Sequence, residues 1–448
     1  MTNAPMDRSR FLDWFDLNRE RTGTIFDLLE SNAYYTQPIA LRHPIVFYEG
    51  HLPAFNVNTF IKRGLGQRGV DERLERLFAR GIDPDDEQVN GQAALLWPTR
   101  GEVEKYADAA DRLVRGALET QPLALPGHPV LDRAEGIFTF LEHEALHQET
   151  LLYMWHRLPL DMKRRPGSLP AADVDARPPS PRVVRVPAGR ATLGAERGDI
   201  AFGWDNEFPS LQVDVPAFEI DVFNVTNADY LKFIDAGGYD RPDWWTPEGW
   251  RWRTEQQVTH PLFWERDPSA NGRGPWLWRG QFDLLPLPLA WPVYVSHAEA
   301  SAYACWRGAR LPTEAEYHRA AFGTPSGVER SYPWGEDAPT AAHGNFDFER
   351  WDPVPVGSRP AGASAWGVED LLGNGWEWTS TPFAGFPGFQ AMPSYPEYSA
   401  DFFDNQHFVM KGASPVTAKP LLRRSLRNWF RPNYPYVYAA FRCVTPVK

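Results

Sequence analysis

Apolar and polar positions recur with two different periods along this chain, and the change of period divides it. From Phe11 to Leu29 the apolar residues Phe11, Leu12, Phe15, Leu17, Ile25 and Leu28 fall at helix-like intervals. A second helix is expected over His51–Arg63, introduced by Glu49-Gly50. A third is expected over Arg100–Thr120, where Thr99 can cap the first turn and Val103, Tyr106, Ala110 and Leu113 share a face. The fourth and longest, Asp132–His156, has no interior proline. Four such helices predict an antiparallel bundle over residues 1–160. Residues 161–182 are too rich in proline for regular structure and read as a surface linker. Beyond it, Val183–Val186 and Leu211–Ile220 alternate like strands, and His297–Arg307 reads as a helix among turns and aromatics. The expected fold class is α+β, a helical bundle followed by a loop-rich domain over residues 183–448.

Composition sharpens this picture. Forty-two prolines and 35 glycines, with 19 tryptophans, point to irregular structure pinned by aromatics. A net charge of −12 argues against nucleic acid or an anionic membrane as partner. Two cysteines exclude a disulfide framework and any cysteine-based zinc or iron–sulfur cluster. No apolar run is long enough to span a bilayer, and Met1–Ser9 lacks the apolar core of a signal peptide, so a cytoplasmic location is expected.

The sharpest chemical signal is His143-Glu144-Ala145-Leu146-His147-Gln148-Glu149. Histidines four apart on a helix leave from one face, so both imidazoles can reach one metal ion. The same letters spell H-E-x-x-H, the zinc-protease motif with Glu144 as base, and the pattern alone does not choose between zinc and iron. Of the other N-terminal histidines, His43 and His128 precede prolines, and His156 lies about 2.5 turns beyond His147, toward the opposite face. His51, on a neighbouring helix, is the natural third ligand. Three neutral imidazoles with open positions suit a divalent transition metal that binds substrate and oxygen. In the C-terminal half, Trp429 or Trp376 could roof a pocket for a quaternary ammonium ion.

Two resemblances meet in this chain. Val183–Val444 resembles the formylglycine-generating-enzyme fold, a C-type-lectin-like variant. The matching stretches are Glu299–Trp306, Arg310–Glu316, Tyr332-Pro333-Trp334-Gly335, Gly373–Trp378 and Phe441-Arg442. The paired C-terminal cysteines of sulfatase-activating members are missing between Lys411 and Arg427. The N-terminal half resembles the DinB-like bundle of the non-haem iron sulfoxide synthases, which join sulfur to C2 of a histidine-derived imidazole. That resemblance implies Fe(II) held by His51, His143 and His147, with O2 as co-substrate, and it demotes the protease reading.

Departures from the ergothioneine-synthase pattern concern the second substrate. There, Asn-Trp-Asp and an arginine four residues later hold hercynine (N-trimethylhistidine) and γ-glutamylcysteine. Here the stretch reads Asn428-Trp429-Phe430-Arg431-Pro432-Asn433-Tyr434. Asn428 and Trp429 remain, while Phe430 and Tyr434 replace the charged pair. Phe383 and Phe386 stand where the active-site tyrosine is expected, leaving the catalytic acid unassigned, and Leu146 stands where a glutamine is expected. A zwitterionic donor needs charged partners, so their loss suggests a neutral one. The combination resembles the selenoneine-forming branch, which joins a selenosugar to hercynine, with Phe383, Phe386, Arg431 and Tyr434 as further substrate contacts. An ergothioneine-type enzyme taking γ-glutamylcysteine or cysteine is the nearer alternative. A non-catalytic lectin-like binding protein with structural or zinc-binding histidines is the distant one.

Overall fold

A computed structural model describes residues 7–79, 97–270 and 274–447 of the chain. It divides into two compact units. One comprises Met1–Gly167 together with Ile200–Phe202 and Met392–Pro396, and the other comprises the rest. Two short segments distant in sequence therefore belong with the helices, which chain order alone does not suggest.

The helical unit contains α1 (Arg8–Asp27), α2 (Ile45–Asn56), α3 (Glu72–Leu77), α4 (Arg100–Thr120) and α5 (Glu135–Arg157). Asp7 caps α1 by accepting from the Ser9 N–H. At α4 the predicted cap is present as a full capping box, Thr99 with Glu102. α2 starts six residues before the expected His51, directly after Pro44, and is buried along almost its whole length. All-round burial hides the amphipathic signal from which a helix start is read. Pro53 removes one intrahelical donor, and the chain continues from Val57 to Gly64 as a π-helix. α3 has no counterpart in the sequence reading.

α5 is tied to α1 by a polar seam through an otherwise apolar interface. Asn18 Nδ2 donates to Leu141 O (2.9 Å), Gln148 Nε2 to Asn18 O (3.0 Å) and Trp155 Nε1 to Ile25 O (3.0 Å). Phe11, Phe15, Ile25, Phe26, Phe140 and Trp155 fill the space around it, each at most 5% exposed. Burial of this order contributes about 25 cal/mol per Å² of apolar surface.

The second unit is built from short strands. β1 (Val183–Val186), β4 (Phe218–Asp221) and β12 (Val444–Pro446) form one sheet in the order β1-β4-β12, and β2 (Gly189–Leu193) pairs with β3 (Leu211–Val215). The single strand expected over Leu211–Ile220 is two strands in two sheets, because Pro216 cannot donate to a ladder. β5 (Trp264–Arg266), β6 (Trp276–Arg279) and β7 (Leu284–Pro286) make a three-stranded sheet. The fourth runs β10-β9-β8-β11, from β8 (Gly375–Pro382), β9 (Phe408–Ala413), β10 (Asn428–Phe430) and β11 (Ala439–Ala440). Helices α6 (Asn227–Asp235), α7 (Pro247–Glu255), α8 (His297–Trp306) and α9 (Glu314–Phe322) complete it. Arg442 is fully buried, its guanidinium paired with Glu377 at 2.7 Å on both sides. Cys305 and Cys443 are both free. Among the described residues no helix is long and apolar enough to cross a membrane.

Candidate metal centre

His51 leaves α2, and His143 and His147 leave successive turns of α5. One ring nitrogen of each lies within 4.8 Å of the others. The Nε2 atoms of His51 and His143 are 3.3 Å apart. His51 and His143 are buried and His147 is partly exposed. Burial holds His51 down to about 4, and it lowers His143 and His147 well below the usual imidazole range, with neighbouring imidazoles adding to the effect. All three rings are therefore neutral at physiological pH, the state in which imidazole ligates a metal.

The tautomer of His51 follows from its neighbour. Its Nδ1 lies 2.8 Å from the carbonyl oxygen of Phe78, which cannot donate, so Nδ1 carries the hydrogen and Nε2 presents a lone pair. Gly50 makes this contact possible, since a Cβ there would lie 2.3 Å from the Phe78 ring. Three neutral nitrogen donors converging in a buried site fit a divalent transition metal and leave its remaining positions for other ligands.

Glu144, the would-be protease base, is committed elsewhere. It is fully buried, and its Oε1 accepts from Arg19 Nη1 and Thr22 Oγ1, both at 2.7 Å. Arg19 in turn donates to Asp111 at 3.0 Å. The carboxylate thus faces α1 and α4, one residue after His143 and three before His147, and works as a strut. This removes the reading of H-E-x-x-H as a protease motif. His156 is buried, His43 stacks on Phe47 with ring centroids 4.1 Å apart, and the Nδ1 of His128 accepts from two backbone N–H groups of its own turn. None of them joins the cluster among the described residues.

One residue near the cluster escaped sequence reasoning. Tyr395, in a segment that belongs to the helical unit, sets its ring edge-on to His143 (6.1 Å, 74°) and to Phe55 (5.1 Å, 62°). Its neighbour Ser394 is buried and holds Glu135 Oε1 and Thr139 Oγ1, both at 2.9 Å. The sequence showed Phe383 and Phe386 where a tyrosine was expected and left the donor unassigned; the tyrosine whose ring meets His143 is Tyr395. No periodicity marks that loop; the only local cue was a tyrosine between two prolines.

The other candidate residues lie in the second unit. Trp429 on β10 stacks on Phe383 (4.0 Å, 7°), with Tyr398 and Phe402 against it at 5.3 and 5.7 Å. Arg427 is buried under this layer. Its guanidinium binds both oxygens of Glu314 and the carbonyls of Asn206 and Ala384, and lies over the Phe383 and Phe386 rings. Phe383 and Phe386 thus pack the strand that carries Asn428 and Trp429. Phe430 stacks on Tyr434 (5.0 Å, 11°), and Arg431 is exposed. Trp376 is buried in β8, with 1% of its surface exposed.

Residues 170–447 match the family described as the sulfatase-modifying factor enzyme 1-like domain. Over 454 residues the chain is 38% identical to the hercynine oxygenase of Mycolicibacterium smegmatis, covering 97% of this chain and 98% of that protein. The hercynine oxygenase of Mycobacterium tuberculosis is 40% identical over 400 residues, 83% of this chain and 88% of that one. Ergothioneine biosynthesis protein 1 of Neurospora crassa is 28% identical, covering 93% of this chain and 55% of its own length.

Proposed function

The chain belongs to the hercynine oxygenase family and is an oxidoreductase, and from that premise we propose that it joins hercynine, at imidazole C2, to a selenosugar in an Fe(II)- and O2-dependent reaction. The observation that carries this reading is the buried cluster of three neutral imidazoles with a phenol beside it. His51, His143 and His147 would hold the iron, which when bound supplies activation of O2. In the overall reaction the hydrogen on C2 and the hydrogen on selenium are lost and a C–Se bond forms. One oxygen atom stays on selenium as a selenoxide, and the other leaves with the two hydrogens as water. The four electrons taken from the substrates reduce one O2.

Within this scheme Tyr395 holds or releases a proton at its phenolic oxygen, a role that Phe383 and Phe386 lack the chemistry for. Asn428 is assigned to the hercynine carboxylate and Trp429 to the wall of its pocket. Their setting supports this, because Arg427 and Phe383 fix the strand from beneath. Selenium over sulfur is favoured by Phe430 and the buried Tyr434 stacked on it, uncharged rings at the positions where a zwitterionic thiol donor needs an acid and a base.

The test is an anaerobic, Fe(II)-loaded assay with hercynine and 1-seleno-glucose, opened to air and read by mass spectrometry with oxygen uptake. A hercynine–selenium product matched to O2 consumption is expected. Turnover with γ-glutamylcysteine or cysteine alone would replace the donor and keep the reaction. Tyr395→Phe should lower turnover by about 10²-fold or more at unchanged iron content. A variant with wild-type turnover would remove Tyr395 from the chemistry.

A further inference from the structure

The helix that supplies the first ligand also supplies an aromatic ring to each imidazole. Phe47, Tyr48 and Phe55 lie four before, three before and four after His51 on α2, so they share its face of the helix. Phe47 stacks on His51 (5.0 Å, 19°), and Tyr48 lies against His147 (5.8 Å, 51°). Phe55 covers His143 most closely, with centroids 3.6 Å apart and planes within 12°. Phe55 is 5% exposed, and its edge is in turn met by Tyr395.

A metal-bound histidine ordinarily donates its second nitrogen to a carboxylate, carbonyl or water, which fixes the ring plane. His51 does so through Phe78. His143 has no such partner from the protein: its Nδ1 is buried and no described residue hydrogen-bonds to it. With no side chain or backbone group to set the rotation of this ring about its Cβ–Cγ bond, a parallel ring at contact distance can set it, since turning the imidazole would drive it into the phenyl face.

We propose that Phe55 is the positioning residue of His143, holding the imidazole plane by stacking where a hydrogen bond would otherwise hold it. The inference rests on the reading of His51, His143 and His147 as a metal site. It assigns a cause to the spacing of His51 and Phe55, one helical turn apart: a single rigid turn presents one ligand and orients another.

The experiment measures Co(II) and Fe(II) binding to the full chain under anaerobic conditions, with the visible spectrum of the Co(II)-loaded protein. Wild type is compared with Phe55→Leu, Phe55→Met and Phe55→Tyr, and thermal unfolding of each metal-free protein is followed in parallel. The aliphatic variants should bind Co(II) about tenfold more weakly, the low end of the range for lost outer-shell contacts, and shift its d–d bands. Phe55→Tyr, which keeps the ring, should restore both. The inference fails if either aliphatic variant that folds gives the wild-type spectrum and affinity, or if stability falls while the spectrum stays unchanged. Wild-type protein that takes up neither metal would instead overturn the metal site itself, and the role of Phe55 with it.

Discussion

Replacing Glu144 tests whether this carboxylate is a strut or a catalytic base. The side chain is fully buried and pairs with Arg19, whose own side chain is 18% exposed and stays bonded to Asp111 when Glu144 is lost. Removing one partner of a buried pair costs about 3–5 kcal/mol, and Glu144→Ala belongs in that range. Glu144→Gln keeps the shape and an acceptor for Thr22 but loses the charge, so about 1.5–3 kcal/mol is expected, the worth of one charge-assisted hydrogen bond. For a unit of this size each kcal/mol moves the unfolding midpoint by about 2–4 °C, so Glu144→Gln should melt roughly 3–12 °C lower. Calorimetry on metal-free protein keeps ligand binding out of the comparison. The double variant with Arg19→Met should show a coupling of about 1–3 kcal/mol. Metal stoichiometry and residual turnover per bound metal should change little. A Glu144→Gln protein that melts like wild type but has lost metal-dependent turnover would refute the reasoning.

Two further perturbations probe other parts of the molecule. Gly50→Ala pushes a methyl into the Phe78 ring and so displaces the carbonyl that orients His51; metal competition titrations should show about 10–100-fold weaker binding with all three ligands present, and wild-type affinity would remove that carbonyl from the site's support. Lys411 is fully buried, and burial lowers its ammonium to about 8 from 10.5, with Glu314 opposing the shift and Arg427 adding to it. Because the unfolded chain then binds more protons than the native one between those values, Lys411 should cost stability below pH 8, and that cost should vanish as the pH rises toward 10.5. Urea unfolding at pH 7 and pH 10.5 should therefore narrow the gap between wild type and Lys411→Met by up to about 3 kcal/mol in favour of wild type, and a constant gap would contradict the shift.

What could be read along the chain was what has a period or a local motif. α1, α4 and α5 show their apolar faces at helical spacing, and the four-residue interval of His143 and His147 is a property of one helix. α2 was harder, since burial on every side removes the polar face that marks a helix start, and its beginning was placed six residues late. The split between β3 and β4 was missed because alternation continues across Pro216 while the hydrogen-bonding partner changes. Glu144 was ambiguous for another reason: it lies in sequence among the clustered histidines, but its bonding partners, Arg19 and Thr22, lie more than 120 residues away.

The residues packed around the histidine cluster show the limit most clearly. Phe55 and Gly50 were visible beside His51 as letters, but their roles depend on what they meet, a ring on α5 in one case and Phe78 beyond a π-helix in the other. Tyr395 lies some 250 positions from His143 and is brought to it by a loop with no regular structure, held by Ser394 on Glu135 and Thr139. A spacing rule finds donors that one element presents together. It cannot find a phenol delivered from elsewhere, because the constraint on that residue is three-dimensional and leaves no interval in the sequence. With Phe383 and Phe386 standing where a tyrosine was expected, the sequence left the proton donor unassigned, since no local pattern marks Tyr395. Phe383 itself fills the layer between Arg427 and Trp429.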